Sequence, residues 1–140
     1  MITEMTAEHI EAISGIEADT TWSKSQLLQD MQNKHAIYYV ALRDGMAVGY
    51  IGIWHILNEG QILNIAVAKA YRRQNIASAL LATAIETAKK FEMLGLTLEV
   101  RESNIAAKKL YEKHGFAEEG RRKNYYEKPA EDALIMWLYL

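Results

Sequence analysis

The stretch between Ile62 and Phe91 constrains the fold more than any other part of the chain. Residues 62–67 are almost continuously apolar, as expected of a strand covered on both faces, with Asn64 the one polar interruption. After a polar turn at residues 72–75, Ile76, Leu80, Leu81, Ala84, Ile85, Ala88 and Phe91 line one face of a long helix expected to end before Gly95. Residues 96–101 then read as a strand. A helix from about residue 104 to 114 follows, with Ala107, Leu110, Tyr111 and His114 on one side and Gly115 as its stop. Strand, helix, strand, helix implies a parallel βαβ core.

The flanking segments complete a layered domain. Ile10, Ile13 and Ile16 recur at roughly helical spacing, and Ser23 with Gln26 forms a capping box ahead of Leu27, Leu28 and Met31. Residues 36–43 and 46–54 form a hairpin across Asp44 and Gly45, which tolerate the positive φ angles of a tight turn. Residues 116–122 and 133–139 read as two final strands joined by a polar segment holding Tyr125, Tyr126 and Pro129. The expectation is one α/β domain over residues 1–140, a mixed central sheet of about six to seven strands flanked by about four helices. With 50% apolar residues, a chain of this length buries a core without crosslinks or metal.

Composition excludes several chemistries. There is no cysteine, so disulfides, thiolate metal sites and cysteine nucleophiles are absent. The four histidines, His9, His35, His55 and His114, show no ligand spacing, and no metal is expected. Neither a Gly-x-Ser-x-Gly elbow nor a Walker-type lysine loop occurs. A formal charge of −2 argues against broad capture of nucleic acid. No signal-like start and no run of roughly 18 apolar residues is present, so a soluble cytoplasmic protein is expected, away from membranes.

Two places carry candidate chemistry. The segment Tyr71, Arg72, Arg73, Gln74, Asn75, Ile76, Ala77, Ser78 opens the longest helix directly after the buried strand. Amides at a helix start point outward with partial positive charge, so a diphosphate can sit on them while Arg72 or Arg73 adds full charge. Small Ala77 and Ser78 permit close approach; a merely solubilising turn is the alternative. The second place is the strand and helix bearing Glu99 and Tyr111. Partial desolvation in the sheet raises a carboxylate's pKa towards the range useful for proton removal, and a phenol of reference pKa about 10 can return a proton. Alternatively Glu99 pairs with Arg101 on a solvated face and Tyr111 is a core aromatic. Ser103 and Asn104 suit helix N-caps.

The turn resembles the acetyl-coenzyme A loop of the GNAT superfamily, Gln/Arg-x-x-Gly-x-Gly/Ala, with Arg72 first, Ala77 last and Asn75 where the family has glycine. The run Leu98, Glu99, Val100, Arg101, Glu102, Ser103, Asn104, then Ala107, Leu110, Tyr111, Glu112, Gly115 and Phe116 is similar to the signature of RimI-like ribosomal-protein alanine N-acetyltransferases. The likeness reaches Asn64 to Val67 and Arg122 to Met136, nearly the whole chain. It implies the GNAT fold, acetyl-CoA as co-substrate, Glu99 as base, Tyr111 as acid and Asn104 on the pantetheine arm. It also implies a bulged strand whose backbone at Ile65, Ala66 and Val67 binds pantetheine and the thioester oxygen. Trp22 and Ser23 resemble the family's Trp-Ser pair, with Thr21 where proline is common; Trp22, Tyr125 and Tyr126 are candidates to wall a peptide groove. Glu118, Glu119, Glu127, Glu131 and Asp132 either attract a basic peptide or form a solvated face. The implied acceptor is a protein N-terminus, possibly ribosomal, the enzyme being a monomer or weak dimer. A small-molecule amine, or an acyl-CoA-binding module without turnover, are the alternatives.

Overall fold

The computed structural model describes residues 1–16 and 22–140; Thr21 lies outside them. The chain opens with β1 (Ile2–Glu4), a 3-10 turn (Ala7–His9) and α1 (Ile10–Ile13). At α2 (Lys24–Met31) the Ser23 hydroxyl accepts the Gln26 N–H at 3.2 Å while Gln26 Oε1 accepts the Ser23 N–H at 2.8 Å, the expected capping box. β2 (Ala36–Arg43) turns into β3 (Met46–Ile56) through Asp44 and Gly45, at φ 52° and 78°. Then come β4 (Glu59–Val67), α3 (Ile76–Lys90), β5 (Gly95–Arg101), α4 (Ile105–Lys113), β6 (Ala117–Glu127) and β7 (Ala130–Tyr139).

The seven strands form one sheet in the order β1-β2-β3-β4-β5-β7-β6, and β4–β5 is its parallel pair. On one face Leu80, Leu81, Ala84 and Ala88 of α3, with Tyr111 of α4, pack against Ile51, Ile53, Leu96, Leu98 and Val100. On the other, Ile10, Ile13 and Leu27 cover Tyr38, Val40, Tyr50 and Ala66. Leu80 and Leu81 are completely buried, each contributing about 1.5–3 kcal/mol.

Three expectations need correction. β4 begins at Glu59, not Ile62, because a second tight hairpin turns at Leu57, whose φ of 57° is a position usually given to glycine or asparagine. α3 is capped at Phe91, half-exposed rather than in the core, and Glu92 takes the left-handed conformation. Gly95 instead belongs to β5, where a β-carbon would lie 2.8 Å from the Leu138 carbonyl oxygen. Finally, the polar segment around Tyr125 and Tyr126 is strand, since β6 runs to Glu127 and β7 starts at Ala130.

A bulge in β4 opens the sheet. Asn64 pairs with Gly52 but Ile62 with Ile53, so Leu63 is an extra residue. Side chains alternate faces along a regular strand, yet Ile62 belongs to the core under α3, as do Ile65 and Val67, while Ala66 faces α1 and α2. The extra residue switches the alternation. β5 follows β4 only through Glu59–Gly95, Gly60–Leu96 and Gln61–Thr97, then stays with β7 as far as Arg101–Ala133. Beyond Gln61 the two central strands diverge.

Candidate active site

The gap between β4 and β5 is a cleft of about 760 Å³. Its walls are the end of β4, the turn and first residues of α3, the middle of β5, the start of α4 with Tyr111, and Tyr126. Leu98 and Val100 point into the core beneath α3, so Glu99 between them points to the opposite face, the side of Asn64 and Ala66. The cleft therefore connects the two faces of the sheet.

Backbone donors converge on it from two directions. The Ala68 N–H bonds the Val48 carbonyl, so by alternation the amides of Ala66 and Asn64 turn towards β3 and those of Ile65 and Val67 towards the gap. At the other end Asn75 caps α3 in the left-handed conformation, φ 62° and ψ 19°, without a side-chain cap bond. The amides of Ile76, Ala77 and Ser78 thus open the helix facing a wall of the cleft, with the positive end of a 15-residue dipole behind them. Arg73 is also left-handed, at φ 66°. Arg72 braces this turn, its Nε donating to the Val67 carbonyl at 3.1 Å. Both arginines line the cleft; Gln74 does not.

Glu99 is the electrostatic focus. Its side chain is 15% exposed; Oε1 lies 3.4 Å from Arg122 Nε, and Oε2 is buried without a hydrogen-bond partner. A buried carboxylate oxygen without a hydrogen-bond partner is costly unless something arrives to bond it. Arg101, the alternative partner read from the sequence, bonds Glu131 at 3.3 Å and lies over the Tyr126 ring. The Tyr125 hydroxyl is raised above its ordinary pKa by burial and by the Glu99 charge. Tyr111 lines the cleft, 7% exposed, with its ring 6.0 Å from Phe116. Asn104 caps α4, Oδ1 accepting the Ala107 N–H at 3.2 Å, and also lines the cleft.

The cleft sits in a chain whose residues 4–116 match the acetyltransferase (GNAT) family model. The chain belongs to the GNAT acetyltransferase family. A Bacillus subtilis (strain 168) protein, provisionally named a [ribosomal protein bS18]-alanine N-acetyltransferase, is 40% identical over 98% of this chain and 93% of its own length. The crystal structure of the ribosomal-protein-S18-alanine N-acetyltransferase from Escherichia coli superposes with a TM-score of 0.90 at 33% identity, covering 99% of this chain and 92% of that one. GNAT acetyltransferases use acetyl-CoA. A Bacillus anthracis protein, provisionally a streptothricin acetyltransferase, was solved in complex with acetyl coenzyme A. It matches at 32% identity and a TM-score of 0.70 over 78% of this chain and 65% of its own.

Not every residue singled out from sequence meets in this GNAT cleft. Trp22 lies against a separate depression of about 440 Å³ along α2, with Gln26, Gln29 and Asn33. Ser78 directs its hydroxyl to His114 Nε2 at 2.8 Å, leaving its amide for the cleft. Of the acids singled out, Asp132 holds Arg121 at 2.8 Å and Glu131 holds Arg101 at 3.3 Å, so these two are engaged within the fold. Sequence reading missed Arg122 as the partner of Glu99, and a neighbouring cation two residues away on β5 was the misleading signal. Among the described residues no cluster of His, Asp or Glu could hold a metal, and no helix is long and apolar enough to cross a membrane.

Proposed function

We propose that this protein transfers the acetyl group of acetyl-CoA to the N-terminal α-amine of a protein, an S18-type ribosomal protein being the favoured acceptor, by direct attack within the β4–β5 cleft. The observation that carries this reading is the unpartnered Glu99 oxygen, facing a cleft walled on its far side by the start of α3. Acetyl-CoA supplies the acyl group as a thioester. The amides of Ile76, Ala77 and Ser78, with Arg72 and Arg73, hold its diphosphate. Asn104 and the β4 backbone around Ala66 contact the pantetheine. The gap-facing amides of Ile65 and Val67 hydrogen-bond the thioester oxygen as it gains negative charge.

The acceptor enters from the opposite face, where Glu99 lies. Glu99 takes one ammonium proton, directly or through a water; an α-ammonium of reference pKa about 7.7–8.0 yields it more readily than lysine at about 10.4. The amine nitrogen then bonds the acetyl carbon as the carbon–sulfur bond breaks; Tyr111 gives its proton to the departing thiolate, and the second proton that the nitrogen sheds in becoming an amide restores the phenol. No covalent enzyme intermediate is required. Tyr126, in the cleft wall with the Tyr125 ring edge-on to it at 5.1 Å, borders the entry. The relatives named as ribosomal-protein alanine acetyltransferases favour the same acceptor class.

The test is incubation with acetyl-CoA and either a peptide carrying the N-terminal sequence of ribosomal protein S18 or a panel of small amines, with products weighed by mass spectrometry. Acetylation at the peptide α-amine is expected. Product only from small amines, or acetyl-CoA binding without any product, overturns the reading.

A further inference from the structure

We propose that Arg101 is a positioning residue for the acceptor: it holds the β6–β7 hairpin end so that Tyr126 forms the wall against which the acceptor's first residue lies. This rests on the acceptor reading given above. β6 carries its own irregularity. Arg122 pairs with Ala133 and Tyr126 with Glu131, so Lys123, Asn124 and Tyr125 stand opposite Asp132 alone. Asn124 takes a φ of 54° and its N–H bonds Asp132 Oδ1 at 2.9 Å. Consecutive side chains on a regular strand point to opposite faces. Here the extra residues bring the Tyr125 and Tyr126 rings together edge-on at 5.1 Å, with Tyr126 in the cleft wall.

Arg101 stands behind that wall. Its guanidinium lies 4.2 Å from the Tyr126 ring centroid, while Nη1 donates to the Pro129 carbonyl at 3.0 Å and to Glu131 at 3.3 Å, and Nη2 donates to the Lys128 carbonyl at 3.3 Å. The second Glu131 oxygen accepts the Ser103 N–H at 2.6 Å, joining the hairpin end to the β5–α4 junction. Only a planar fork both stacks on a ring and donates to several oxygens, and lysine has neither the plane nor the fork. Arg101 and Glu99 also share one face of β5, two residues apart, so their bases stand about 6.6–6.8 Å from each other on a rigid strand. The wall and the base are therefore set relative to one another by β5, which a purely architectural ion pair would not require.

The experiment compares wild type and Arg101→Lys. It measures peptide KM and kcat with an alanine-starting S18 peptide, acetyl-CoA affinity by calorimetry, and amide hydrogen exchange over residues 126–131. Arg101→Lys is expected to raise the peptide KM about tenfold, leave kcat within about twofold and acetyl-CoA affinity unchanged, and speed exchange in the hairpin end. An unchanged peptide KM in Arg101→Lys, or acetyl-CoA affinity falling in step with it, overturns the proposal while the acceptor reading stands. A wild type that acetylates no such peptide overturns both.

Discussion

The proposed anion site depends on the backbone at Asn75, and its substitution gives a quantitative test. Asn75 adopts φ 62° and ψ 19°, makes no cap bond and lines the cleft. Alanine there places a β-carbon in the left-handed region without the short polar side chain that eases it, a cost of about 1–2 kcal/mol. Thermodynamics dictates where that cost is seen. If the turn keeps its shape in the free protein, the cost falls on folding stability; if the turn relaxes and is re-formed by ligand, it falls on acetyl-CoA affinity. The two losses in Asn75→Ala should therefore sum to about 1–2 kcal/mol, about a 5- to 30-fold change in the combined equilibrium constants. Asn75→Gly keeps the turn free of strain, removes a side chain from the path of the phosphates, and is expected to bind acetyl-CoA more tightly than wild type. Calorimetric titration with acetyl-CoA and urea unfolding of all three proteins supply both numbers. The reasoning is refuted if Asn75→Ala matches wild type in both, or if Asn75→Gly binds more weakly.

Glu99→Gln keeps the shape of the side chain but cannot accept a proton; turnover should drop by about 10²–10⁴ with acetyl-CoA affinity held, and a proportional loss of affinity would make Glu99 structural. Tyr111→Phe retains the ring contact with Phe116 and should lower turnover while leaving acetyl-CoA binding nearly intact, as read by steady-state kinetics beside titration; matching losses would assign the hydroxyl to binding. Burial, with Lys113 beside it, holds the His114 imidazole below its ordinary 6.5. The unfolded chain therefore takes up that proton first, so the contribution to stability is full above about pH 6.5 and is lost as pH falls through the lower folded value. His114→Gln can still bond Ser78 and should flatten the decline in unfolding temperature between about pH 7.5 and about pH 5.5; equal slopes in the two proteins would rule His114 out as its source.

What was legible in the sequence was local. The α3 stripe from Ile76 to Ala88, the Ser23–Gln26 box, the Asp44–Gly45 turn and the Asn104 cap each rest on relations between residues one helical turn or less apart, and these stand in the structure. Register with a distant strand was not legible. Leu57 occupies a left-handed turn position that glycine or asparagine would have announced, so the β3–β4 hairpin passed unseen. Arg101 looked like the partner of Glu99 because it is two residues away, whereas the cation that reaches Glu99 arrives from β6, across β7. Nothing local announced that the Ser78 hydroxyl bonds His114, 36 residues away in the chain.

Both features that make the cleft usable are register shifts, and neither leaves a local trace. Leu63 is an apolar residue among apolar residues, yet its insertion moves Ile65 and Val67 to the α3 face and places Ala66, with Asn64, on the face of Glu99. Without it the alternation set at Ile62 would carry Asn64 and Ala66 into the core beneath α3 and turn Ile65 and Val67 outwards. A polar amide would then be buried among leucines, and β4 would lose the kink with which it leaves β5. The extra residues of β6 act on the other margin, where a regular strand would send Tyr125 and Tyr126 to opposite faces. The chemistry-bearing side chains are readable from their types, but the gap in which they meet is produced by two miscounts between strands. Only the pairing of those strands reveals a miscount.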